Sequence, residues 1–173
     1  LLDYSKSSFV VTDATGDSEL MMTAMGQGNT LASPYHMGLI CAAIANGGTL
    51  MEPYLVDKVT NYTGTEISKN VPRSFRRLMS VQEAAQLKEY MRAVVDEGTA
   101  TALGGGSYNV AGKTGTAEYS LVDGEKMHSW FVGFTNVDNP ELVICVTVEG
   151  YDGNASALAV PIAKQVLDAY YNR

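Results

Sequence analysis

The stretch YNVAGKTGTAEY, residues 108–119, admits two readings that lead to different folds. Gly112-Lys113-Thr114 has the ending of a phosphate-cradling P-loop. That motif needs G-x-x-x-x-G-K-[ST], which puts its first glycine at position 107. Position 107 is Ser107, and Gly106 is one residue too far away. A P-loop also runs from a strand into the start of a helix, where the phosphate sits. Here Thr114 is followed by Gly115-Thr116-Ala117-Glu118-Tyr119, a polar turn at Asp123-Gly124, and a further strand-like run. Lys113 therefore belongs within a strand. Side chains alternate along a strand, so Lys113 and Gly115 share one face and Thr114 and Thr116 the other. A twist or bulge near Gly115 would swing both sets toward a cleft at the sheet edge. Glycine there admits close approach of another backbone. The ammonium can favour an anion or steer a proton, and the two hydroxyls can hold a carboxylate.

Outward from that strand, the chain reads as α+β, with helices first, then an antiparallel sheet, then a closing C-terminal helix. Strands are expected at about 108–119, 128–137 and 142–149, with Asp138-Asn139-Pro140 turning the last two into a hairpin. The run LVICVTV, residues 142–148, is apolar on both faces, which predicts a central strand covered on both sides. Met25-Gly26-Gln27-Gly28-Asn29 reads as a turn. Ser33-Pro34 opens a helix, with Ser as N-cap and Pro at the first helical position. Its stripe is Met37, Ile40, Cys41 and Ile44, and Asn46-Gly47-Gly48 ends it. A surface hairpin about Gly64 is expected within 51–70. Ser80-Val81-Gln82-Glu83 fits a capping box, followed by the apolar face Ala84, Leu87, Met91, Val94 and Val95 and a stop at Gly98. Pro161 starts the final helix, with Ile162, Val166, Leu167 and Tyr170 predicted inward. Nothing repeats internally.

Composition narrows the function. An apolar share of 46% suits a globular core. Twelve Lys and Arg against nineteen Asp and Glu leave a net charge of −7, which argues against nucleic acid as a partner. The one basic cluster, Arg73, Arg76 and Arg77, reads as a solvated loop. Cys41 and Cys145 lie in apolar runs and read as buried, inert thiols, with a disulfide left open. With His36 and His128 they have no zinc-like spacing, so no metal is predicted. No apolar run reaches the ~18 residues of a membrane span. The chain has no signal-like start and no initiator Met, and is expected to be an excised segment.

The motif does not stand alone. Met25-Gly26-Gln27-Gly28, Ser33-Pro34, the block from Ala42 to Gly48 and Glu52 to Val56 resemble, in order, successive blocks of class B penicillin-binding transpeptidases. VVDEGT (94–99), VAGKTGTAE (110–118) and SWFVGF (129–134) continue the resemblance over nearly the whole chain. The resemblance implies the C-terminal part of one transpeptidase domain over 1–173. Within it, 1–50 would end a helical subdomain, 51–79 form a hairpin region, 80–98 a helix, 107–150 the sheet strands and 160–172 the closing helix.

The family's members are D,D-transpeptidases. A serine in S-x-x-K attacks the penultimate D-Ala carbonyl of a peptidoglycan stem peptide ending in D-Ala-D-Ala, and an amine of a neighbouring peptide takes the acyl group. β-Lactams imitate that end and stay attached, and no cofactor is used. The resemblance assigns Lys113 to proton handling and positive potential, and the Thr114 and Thr116 hydroxyls to a substrate carboxylate. It makes Gly115 part of the substrate-binding wall and the Thr116 N–H one of two oxyanion donors. Glu118 stands where relatives often have Gln, and its role is open.

The nucleophile motif is absent: no serine stands three residues before Lys6, Lys58, Lys69, Lys88, Lys113, Lys126 or Lys164. S-x-N occurs at Ser68-Lys69-Asn70 and Ser107-Tyr108-Asn109, neither in the family's place. The expectation is thus one wall of a site whose serine lies in a missing N-terminal half, which would be this chain's partner. A free edge on the 142–149 strand would invite self-association. The implied location is the extracytoplasmic face of the bacterial membrane. A non-catalytic binding or assembly module that retains the fold is the alternative.

Overall fold

Side-chain caps start two of the four described α-helices, the second and third in chain order. The computed structural model describes residues 5–121, 124–151 and 158–172. Its first helix, α1 (Asp17–Ala24), has no counterpart among the sequence expectations. Gly16 offers no side-chain cap, and only Asp17 and Glu19, favourable near a helix N-terminus, mark its start. Residues 25–29 then turn, as expected. Helix α2 (Pro34–Ala45) begins as predicted, with Ser33 Oγ accepting from the His36 N–H at 3.2 Å. It ends at Asn46. Gly48 has φ 90°, and a Cβ there would collide with the Met79 carbonyl, so only glycine fits.

Four short strands follow: β1 (Thr49–Met51), β2 (Lys58–Thr60), β3 (Glu66–Lys69) and β4 (Ser74–Arg77). β2 and β3 form the hairpin expected about Gly64. β4 returns to pair with β1, which corrects the reading of the basic cluster as a loop. Arg76 and Arg77 lie in that strand, and the Arg77 guanidinium donates to the Gly47 and Met79 carbonyls. The capping box forms at α3 (Val81–Asp96): Glu83 N–H donates to Ser80 Oγ at 3.2 Å, and Ser80 N–H to the Glu83 carboxylate at 2.7 Å. α3 ends at its C-cap Glu97, and at Gly98 just beyond it a Cβ would lie 2.8 Å from the Val94 Cα, so glycine is needed where the chain turns back.

The main sheet is antiparallel, in the order β5 (Val110–Leu121), β6 (Gly124–Thr135), β7 (Val143–Tyr151), and α4 (Ala159–Tyr171) closes the chain. Gly124 is the first residue of β6 rather than part of a turn, and Asp123 lies outside the described residues. Both sheet faces are covered. On one, Phe131, Val110 and Ile144 pack with Leu103, Val95 and the α4 residues Ala159, Val160, Ala163 and Leu167. On the other, Ala111 and Phe134 pack with Cys41, Ile44 and Ala45 of α2 and Met91 of α3. β7 is thus sandwiched between α2 and α4 as its sequence predicts. It is not central among the described strands, however, because its second side pairs with none of them.

The inward face of α4 departs from expectation. Leu167 is buried, but Ile162, Val166 and Tyr170 are 41%, 49% and 37% exposed. The inward line is instead Ala159, Val160, Ala163 and Leu167, which pack with Phe131 and Leu103, so the line through Ile162, Val166 and Tyr170 turns toward solvent. The buried Ser129 Oγ accepts from the Ala159 N–H at 3.1 Å, and so ties the start of this helix to β6. Cys41 and Cys145 are both free thiols. Burial, with Cys145 close by, pushes the Cys41 thiol up to about 12.

Candidate functional site

β5, which carries Lys113, Thr114, Gly115 and Thr116, is one of the two edge strands of the main sheet among the described strands. Its register with β6 is unbroken from Val110 opposite Thr135 to Leu121 opposite Gly124. No bulge occurs at Gly115, which corrects that part of the sequence reading; the register shift in this sheet lies between Met127 and Ser129, in the β6–β7 pairing. The motif instead meets its surroundings through main-chain direction. In an antiparallel pair, successive residues alternate between exchanging both bonds with the neighbour and exchanging neither. The Thr116 carbonyl accepts from Gln27 Nε2 at 3.2 Å, and the Glu118 N–H donates to Gln27 Oε1 at 3.3 Å. Thr114, Thr116 and Glu118 therefore point their main-chain groups away from β6, and the Thr116 N–H faces the open edge.

The side chains complete this edge. Lys113 is exposed, and its ammonium donates to the Thr114 carbonyl at 2.6 Å. Thr114 Oγ1 lies 2.6 Å from Thr99 Oγ1, on the loop that follows α3. If Thr99 donates in that pair, the Thr114 hydroxyl hydrogen is free for an incoming acceptor. The two glycines differ. A Cβ on Gly112 would meet Phe131 Cζ and Cε2, the latter at 2.6 Å, and the Val132 carbonyl at 2.9 Å. Gly112 is thus required by the core. A Cβ on Gly115 would meet only Trp130 Cβ, at 3.3 Å, so the space over Gly115 is open to another molecule.

Two residues at this edge were missed by site reasoning from sequence. Gln27 sits between Gly26 (φ 81°) and Gly28 (φ 70°), two left-handed positions that build a tight turn after α1. That pair of glycines was the available signal. Thr99 ends the VVDEGT block, but nothing there pointed to Thr114, because the bond between them exists only once α3 packs beside β5.

Both the sequence and the fold are similar to those of known proteins. The model of the penicillin-binding protein transpeptidase domain matches residues 2–168. The chain belongs to this transpeptidase family. It is 36% identical over 156 residues to peptidoglycan D,D-transpeptidase PbpA of Mycobacterium tuberculosis, covering 87% of this chain and 31% of that protein. It is 31% identical over 166 residues to stage V sporulation protein D of Bacillus subtilis, covering 90% and 25%. The fold superposes with a TM-score of 0.82 on penicillin-binding protein A from M. tuberculosis in its imipenem acyl-enzyme complex, at 33% identity, covering 98% of this chain and 37% of that one. The chain thus spans 25% to 37% of the length of these relatives. No described helix is long and apolar enough to cross a membrane.

Proposed function

We propose that this chain is the C-terminal part of the transpeptidase domain of a penicillin-binding D,D-transpeptidase, with residues 1–50 ending its helical subdomain. In this reading the whole protein cross-links peptidoglycan stem peptides ending in D-Ala-D-Ala, outside the cytoplasmic membrane, anchored by a segment beyond this chain. The attacking serine comes from the preceding part of the domain. Its hydroxyl oxygen bonds to the penultimate D-Ala carbonyl carbon, terminal D-Ala leaves with a proton, and an amine of a second peptide then displaces the serine. β-Lactams enter the same path and stop at the acyl-enzyme, as imipenem does on the M. tuberculosis relative.

The observation that carries this reading is the outward Thr116 main chain on the free edge of β5, beside an exposed ammonium and an open Gly115. The Thr116 N–H is aimed to stabilise a developing oxyanion; one such donor is worth roughly 3 kcal/mol of barrier. The Thr114 and Thr116 hydroxyls hold the substrate carboxylate, and Lys113 supplies positive potential and proton handling. Ser129 is not a candidate nucleophile, since its Oγ is buried and bonded at the start of α4. The second side of β7 is a further docking edge, either for the preceding half of the domain or for a second copy. Light scattering on the isolated chain tests the latter: a strictly monomeric species at high concentration counts against it.

A fluorescent penicillin tests the main reading. The full-length protein should take a stoichiometric covalent label, and the isolated chain none. No label on the full-length protein favours a non-catalytic module instead. A stable adduct on a serine of the isolated chain would mean that the nucleophile has been misplaced.

A further inference from the structure

We propose that Gln27 is a positioning residue for the acylation step, holding the β5 edge that carries the Thr116 N–H. The proposal rests on the reading of Thr116 given above. The Gln27 carboxamide does for residues 116–118 what the peptide group of a further strand would do. It donates to the Thr116 carbonyl at 3.2 Å and accepts from the Glu118 N–H at 3.3 Å. The orientation of the amide is dictated by its partners, since a carbonyl needs a donor and an N–H needs an acceptor. The Thr116 N–H and carbonyl leave the strand on the same side, so a group that pins the carbonyl also fixes the line along which the N–H points.

The support for Gln27 is itself rigid. Its own N–H donates to the Met22 carbonyl at 2.9 Å, and the Gly26 N–H to the Thr23 carbonyl at 3.0 Å. Both bonds run back onto α1. The left-handed glycines on each side let the chain reverse tightly enough to present one half-buried side chain to a strand residue 89 positions later. The contact therefore links the helical part of the chain to the strand at the point where the oxyanion donor sits. Without it, residues 116–118 would lose their only described side-chain support on that edge. An oxyanion donor acts through placement, and a misplacement of about 1 Å can cost about a hundredfold in rate.

The test uses the full-length protein, a fluorescent penicillin, and separate measurement of encounter affinity and acylation rate constant. Gln27→Ala should slow acylation by about tenfold or more while encounter affinity changes by less than about threefold. Gln27→Glu supplies a second, chemical readout. Ionised, its carboxylate still accepts from the Glu118 N–H but has no proton for the Thr116 carbonyl. Protonated, it restores both bonds. Its rate relative to wild type should therefore climb as pH falls from about 7 to about 5, with the ratio for Gln27→Ala flat. The other ionisable groups of the elements meeting here, Lys113 and Glu118 on β5, Lys126 and His128 on β6 and Asp17 and Glu19 on α1, are common to all three proteins, and the flat ratio for Gln27→Ala controls for their own titration. If Gln27→Ala does not fold, the pH ratio of Gln27→Glu decides. Variants that match a labelled wild type at every pH would overturn this proposal alone. A full-length wild type that takes no label would overturn the reading of the site, and this proposal with it.

Discussion

Gly112 and Gly115 lie three residues apart in one motif, and the structure gives them opposite tasks. An alanine methyl at 112 has nowhere to go. It meets the Phe131 ring at Cζ and Cε2, and the Val132 carbonyl oxygen at 2.9 Å. Phe131 is fully buried against Leu103, Val110 and Leu167, so its ring cannot swing aside. Overpacking of this kind costs about 1–3 kcal/mol. Two fixed groups, the Phe131 ring and the Val132 carbonyl, put Gly112→Ala near the upper end, at about 3 kcal/mol, partly offset by about 0.5 kcal/mol from a less flexible unfolded chain. At about 2–4 °C per kcal/mol for a domain of this size, the melting temperature should fall by about 5–10 °C. At 115 the added methyl meets only Trp130 Cβ at 3.3 Å, a contact that a small shift relieves. Gly115→Ala should melt within about 2 °C of wild type. It should nevertheless lower the rate of labelling by a fluorescent penicillin by about tenfold, because the methyl intrudes where a ligand backbone would lie. Thermal unfolding and labelling of the two variants in the full-length protein check both halves. Equal melting temperatures for Gly112→Ala and wild type would refute the steric argument. Full labelling of Gly115→Ala would refute the open-edge argument.

The other expectations concern charge and burial. Lys113→Ala should slow β-lactam acylation strongly, whereas Thr116→Val should weaken carboxylate recognition and leave the main-chain donor in place; near-wild-type rates in both would remove these residues from the site. The Cys41 thiol, held up to about 12 by burial and its neighbour Cys145, should resist iodoacetamide in the native protein at about pH 8 and react on unfolding, as mass spectrometry can show. Hydrogen bonds from Lys164 and then Tyr108 hold the Asp168 carboxyl below its usual range. Lowering favours the charged form in the folded state, so this contribution is present above the unfolded value of about 3.9 and is lost as pH falls through the lower folded value. Asp168→Asn should therefore lose stability relative to wild type at neutral pH and close that gap below about pH 4, measured by melting temperature against pH.

Much of this protein was legible where the controlling interactions are short-range. Ser80 and Glu83 cap α3 across three residues, Ser33 and Pro34 start α2, and Gly64 turns β2 into β3, so each pattern could be read without knowing what surrounds it. The family was legible for a related reason: Lys113 to Thr116 and the blocks around them keep their order and spacing along the chain. What the sequence left open depends on contacts between distant residues. α1 lacks a side-chain cap and carries too weak an amphipathic pattern to stand out in isolation. On α4, Leu167 faces inward as the pattern suggests, but Ile162, Val166 and Tyr170 do not, because the inward line runs through Ala159, Val160, Ala163 and Leu167 and is set by what the helix packs against.

The tertiary structure alone decided which way the motif faces. Alternation along β5 is intrinsic to any strand, and so is the pairing of Lys113 with Gly115 on one face. Which edge of β5 is free, and hence where the Thr116 N–H points, is determined by β6 taking the opposite side in one register and by Gln27 closing part of what remains. Those partners reach β5 from different parts of the chain, and a hydrogen bond carries no trace in sequence when it is made by a side chain on a turn to a main chain that every residue possesses.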